Sequence, residues 1–131
     1  MVAKSPVKGT TRRFVVEGSL CTLNEYTHLT RANKQASAAL KRKQEEIVGW
    51  AIKQYLGNWH TDKPIRVRFL WIEKNKRKDK DNIAFAKKFI FDALVKCGTI
   101  NDDKWDMVEG FEDDFAVDKL RPRVEVEIFE L

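Results

Sequence analysis

The eight residues after Pro64, Ile-Arg-Val-Arg-Phe-Leu-Trp-Ile, constrain the fold of this chain more than any other stretch. Ile65, Val67, Phe69 and Trp71 alternate with Arg66, Arg68, Leu70 and Ile72, so an extended backbone puts four large apolar side chains on one face. The second face is basic at one end and apolar at the other, which predicts partial cover there. Residues 12–18 (RRFVVEG) are β-branched and aromatic and predict an earlier strand. Residues 123–129 (RVEVEIF) predict a closing strand, with Val124, Val126 and Ile128 opposite Glu125 and Glu127.

Helical spacing governs two other segments. Between 34 and 56, Ala36, Leu40, Ile47, Val48, Ala51, Ile52, Tyr55 and Leu56 recur largely with helical period, and Gly57-Asn58 supplies a stop. Residues 82–97 predict a second helix, ended by Gly98. Residues 19–33 have no regular pattern, and 99–115 read as a turn followed by a strand or extended segment. Three or four strands and two main helices in this order predict a two-layer α+β sandwich with a small mixed sheet. Strand order is not legible at this level.

At 131 residues and 43% hydrophobic content, the chain has apolar surface for one core. The expectation is one domain over 12–131, preceded by a flexible lead at 1–11 that is rich in Pro, Gly, Ser and Lys. No apolar run reaches the length of a membrane span, so no membrane partner and a soluble, cytoplasmic protein are expected. Cys21 and Cys97, and His28 and His60, lack metal-ligand spacing, which leaves zinc and Ser/His or Cys/His chemistry with almost no support. No Walker loop, dinucleotide fingerprint or aromatic RNA-binding signature is present, so no nucleotide cofactor is expected.

Charge is unevenly spread. The net charge is +5, yet residues 1–58 carry ten basic and four acidic side chains, 59–100 eleven and five, and 101–131 four and eleven. A basic surface attracts a polyanion, whereas a dense acidic patch repels phosphate unless cations neutralise it.

The acidic residues that bear on chemistry are Asp79 and Asp81 in Asp-Lys-Asp-Asn, and Asp102 and Asp103 about twenty residues later. In an extended segment Asp79 and Asp81 point the same way and can share an ion. Mg²⁺ commonly takes only one or two carboxylates and leaves positions for water and phosphate. The helix between the pairs is roughly 24 Å long, so the chain must fold back for them to meet. If they meet, four carboxylates and two divalent ions balance, and a phosphodiester is accepted for in-line displacement by water. The competing reading is helix capping, for which Asp and Asn are equally suited. An EF-hand loop fails, because Ala84 and Ile90 occupy the positions that need Gly and Glu.

Around the second helix, Ile83, Ala86, Ile90, Ala93, Leu94 and Cys97 share one side, and Asp81, Phe85, Lys88 and Asp92 form a narrow strip opposite. A polar strip flanked by Phe91 and Val95 faces a cleft or a partner, or is a Lys88–Asp92 ion pair. The run Lys74, Lys76, Arg77, Lys78 and Lys80 directly precedes the aspartates and reads either as a solvated loop or as a phosphate clamp.

The stretch RKDKDNIAFAKKFIFDALVKCGTINDDKW resembles the signature of the RusA family of Holliday junction resolvases: an Asp-x-Asp-Asn, a helix with Phe-Asp-Ala-Leu, a Gly turn and an Asp-Asp pair. The resemblance extends through IRVRFLWI and RVEVEIF, and more weakly to Leu23-Asn24-Glu25-Tyr26. It implies a RusA-like fold and a homodimer. It also implies resolution of four-way (Holliday) junctions by paired symmetric nicks, in DNA recombination and repair, with Mg²⁺, or Mn²⁺ as a substitute. Two sites related by a two-fold axis suit a nearly symmetric junction.

Carried onto this chain, the resemblance implies catalytic Asp79, Asp81 and Asp103, with Asp102 beside the last among the metal ligands. Anchoring on Phe91-Asp92-Ala93-Leu94 selects Lys88 as the functional lysine, with Lys87 as its rival. Contacts to DNA are expected from Lys74, Lys76, Arg77, Lys78, Lys80, Arg66, Arg68 and Asn24. The helix is three residues longer here than in the best-known member, and Ser19-Leu-Cys-Thr-Leu replaces a Pro-rich lead to the Asn. The alternative is a non-catalytic DNA-binding module whose aspartates only cap a helix.

Overall fold

The computed structural model describes residues 11–131; the lead expected at 1–11 therefore lies outside the described residues except for Thr11. Four strands, β1 (Thr11–Glu17), β2 (Ile65–Glu73), β3 (Val108–Val117) and β4 (Arg123–Glu130), form one sheet in the order β1-β4-β2-β3. β4 is antiparallel to both β1 and β2, and β2 is parallel to β3. A parallel pair needs a crossover, and the segment between β2 and β3 carries the helical run expected there.

The alternation of β2 is realised as expected. Val67, Phe69 and Trp71 are buried on the helix-covered face beside Phe14 and Val16 of β1 and Val124, Val126 and Ile128 of β4. The opposite face is ionic. Arg13 pairs with Glu125, Arg123 reaches Glu125 at 2.8 Å, Arg68 reaches Glu127 at 3.5 Å and Arg66 reaches Glu109 at 2.6 Å.

The helical layer holds α1 (Leu23–Ala32), α2 (Lys34–Leu56), α3 (Lys80–Ala84) and α4 (Lys87–Lys96), with α2 packed on β1 and on α4. α2 has the expected bounds, and Gly57 ends it at φ 60°, a backbone conformation that costs glycine nothing.

Two helical expectations are corrected. Residues 19–33 are not irregular: Thr22 caps α1 by accepting from the Glu25 N–H, and Glu25 accepts from the Thr22 N–H in return. The helix expected over 82–97 is two helices. The N–H groups of Ala86, Lys88 and Phe89 each reach back only three residues, so the chain tightens at the joint. That tightening sets Phe85 and Phe89 edge to face at 5.5 Å, and both rings meet Tyr26 of α1 at 5.6 and 6.0 Å. No Pro or Gly marks the break. The fold is a two-layer α+β sandwich with an open mixed sheet, as the pattern of elements predicts.

Candidate functional site

β2 delivers the chain to its charged turn at Glu73. Asp79 follows as the N-cap residue of α3, but its side chain makes no capping hydrogen bond. Asp81, in the first turn, accepts from the Asn82 N–H at 2.9 Å. Both carboxylates are exposed, as are Lys74, Lys76, Arg77, Lys78 and Lys80 around them. Lys78 lies 3.7 Å from the largely buried Glu73, which ties the basic turn to the end of the sheet.

Asp81 lines an open cavity of about 650 Å³ between the helices and the edge strand β3, floored by Phe85, Phe91, Phe111 and Phe115. Lys80, Lys87, Lys88 and Asp113 also line it. Lys87 and Lys88 part company here. Lys87 is half-buried, donates to Asp113 at 2.6 Å and stands 4.5 Å over the ring of Phe111. Lys88 is exposed and forms the i,i+4 pair with Asp92 at 3.4 Å, while Lys41 of α2 reaches the same carboxylate at 3.5 Å. The strip Asp81, Phe85, Lys88 thus borders a cleft, and its last member, Asp92, is held in ion pairs.

Asp113 was missed by the sequence reading. It accepts from Lys87 and, at 2.8 Å, from the indole N–H of Trp71. It sits within the acidic run Glu112-Asp113-Asp114, which masks the period-two pattern of Phe111, Asp113 and Phe115 along one face of β3. That alternation is the signal that could have found it.

Asp102 and Asp103 stand elsewhere. They follow α4 and precede β3, beside the start of β2, where the Ile65 N–H donates to the Met107 carbonyl. Asp79 and Asp81 follow the end of β2, and β2 is roughly 25 Å long at the usual rise. Among the described residues no group of three or more His, Cys, Asp or Glu side chains could hold a metal ion. The expectation that the four aspartates meet within one subunit is therefore corrected: the helical run between them returns from the end of β2 to the start of the parallel strand β3, which leaves the two pairs at opposite ends of the sheet. Arg66 and Arg68 are also separated from the aspartates, being on the ionic face of the sheet away from the helices. Asn24 is exposed in the first turn of α1.

The turn that carries Asp102 and Asp103 is held by His60. Its Nδ1 faces the Gly98 carbonyl at 2.6 Å and its Nε2 faces Asp62 at 2.8 Å, and Asp62 also accepts from Asn101 at 2.8 Å. Two acceptors facing one ring favour the imidazolium, which donates from both nitrogens. The Gly98 carbonyl first, then Asp62, raise the His60 pKa above 6.5. A raised folded-state pKa gives stability that is fully present below the unfolded value and is lost as pH rises through the folded one. The melting temperature of the wild type should therefore fall relative to that of His60→Gln as pH is raised from 6 upward. Parallel melting curves across that range would remove the role given to His60.

Neither a family model nor a curated protein matches this sequence.

Proposed function

We propose that the protein is a divalent-metal-dependent endonuclease of the RusA type that cuts branched DNA, with Asp79 and Asp81 at its centre and basic residues of the 74–80 turn holding phosphates. The observation that carries this reading is that Asp79 occupies a helix N-cap and leaves the cap unmade. The competing DNA-binding module needs the aspartates for capping, and the N-cap aspartate does not serve it. An exposed pair of carboxylates within a basic turn suits a Mg²⁺ ion shared between protein and phosphate.

One subunit does not supply a larger ligand set. The homodimer implied by the resemblance changes this: two copies related by an antiparallel two-fold axis set the Asp102–Asp103 end of one against the Asp79–Asp81 end of the other. Charge favours the same arrangement, because Asp102, Asp103 and Asp106 of one chain would meet the basic turn of its partner. Asp79 and Asp81 of one copy and Asp102 and Asp103 of the other would then hold the ion, and Lys87 or Lys88 of the cleft beside Asp81 would face the DNA.

A labelled four-way junction and a matched linear duplex, each incubated with and without Mg²⁺, test the reading. The expected result is symmetric nicks in the junction alone and only with the ion; binding without cleavage under all conditions would support the non-catalytic module instead.

A further inference from the structure

We propose that the groove between α3 and β3 is a track for a single, unpaired DNA strand, with one base lying on the exposed face of Phe111; the choice of DNA as the polymer rests on the nuclease reading above. The 650 Å³ cavity beside Asp81 adjoins a second of about 550 Å³ at the basic turn, the two sharing Lys80 and Phe115 in their walls. Lys76, Lys78 and Lys80 line one end of the combined groove and Lys88 the other, outnumbering the lining carboxylates Glu73, Asp81 and Asp113, of which Asp113 is paired with Lys87.

Its floor is aromatic. Phe111 and Phe115 lie on the same face of β3, roughly 13 Å apart at the usual rise. Phe111 is 48% exposed although Phe69 and Phe91 pack against it. The Lys80 ammonium stands 5.5 Å over the Phe115 ring and that of Lys87, itself paired with Asp113, stands 4.5 Å over Phe111, so each ring carries a cation on one face. A nucleotide has the matching pattern, a flat apolar base joined to an anionic phosphate. Alternating stacking platforms and cations bind single strands with little regard to sequence. A paired duplex offers its phosphates to such a groove but keeps its base faces stacked inside, so the groove distinguishes an opened strand from a closed one.

The test is fluorescence anisotropy of the full chain in EDTA, with a labelled oligothymidylate of about sixteen nucleotides and a blunt duplex as probes. Phe111→Ala should weaken oligothymidylate binding roughly tenfold and duplex binding by less than about twofold, and Phe111→Trp should restore it. Lys80→Gln, at an exposed position, should reduce the salt slope for the oligothymidylate by about 0.7. Equal affinity of Phe111→Ala and wild type for the oligothymidylate, or equal loss for both probes, overturns the proposal. Wild-type protein that leaves a junction uncut in Mg²⁺ but shows these effects retains the strand track and loses the nuclease reading; cleavage without these effects does the reverse.

Discussion

Asp81→Asn is expected to lower the rate of Mg²⁺-dependent junction cutting by about a thousandfold or more, the scale of losing several kcal/mol of metal-derived stabilisation. The fold should not change. Asp81 is exposed, and the hydrogen bond its Oδ1 accepts from the Asn82 N–H is one that an amide oxygen also accepts. Junction binding should hold or tighten, because a negative charge leaves a turn that carries Lys74, Lys76, Arg77, Lys78 and Lys80. Cleavage rate and equilibrium binding measured on one preparation separate these effects. Wild-type cutting by the variant would remove Asp81 from the reaction.

Phe69→Ala should have the largest effect on stability, about 4 kcal/mol, a large fraction of the typical domain total of about 5–15 kcal/mol. Phe69 is 1% exposed at the centre of β2 and the sheet. Its ring stacks on Trp71 at 5.5 Å and meets Phe91 at 5.7 Å and Phe111 at 6.4 Å. Removing it opens a cavity under the residues that position Asp113 and Lys87. Urea unfolding should show the midpoint falling with the slope unchanged. A loss below about 1 kcal/mol would mean that this cluster is not the packing centre.

Much of the fold was legible where local chemistry and burial agree. β2 alternates because its apolar face is covered, and Pro64 and Gly57 mark the boundaries around it as their restricted or permissive backbones require. α1 was legible in principle through Thr22 and Glu25, but its apolar residues are too few to declare a period, and the helix has no buried residue. The break between α3 and α4 was not legible, since no Pro or Gly marks it and the contact of Phe85 and Phe89 with Tyr26 that goes with it joins distant segments.

The candidate site divides in the same way. Asp79, Asp81 and the basic turn are contiguous in sequence and remain together in space. The meeting of Asp79 and Asp81 with Asp102 and Asp103 depends on the direction of the intervening helices, which periodicity does not encode. Asp113 joins the cleft through strand pairing, and its acidic neighbours conceal it.

The claim that the ion is held between two copies is tested most directly by mixing. Asp81→Asn and Asp103→Asn proteins, each inactive alone, are unfolded together, refolded and assayed for junction nicking. A mixed dimer with shared sites carries one doubly altered and one intact site, so activity should return to roughly a quarter of wild type, as single nicks. A mixture as inactive as its separate components would contradict the account.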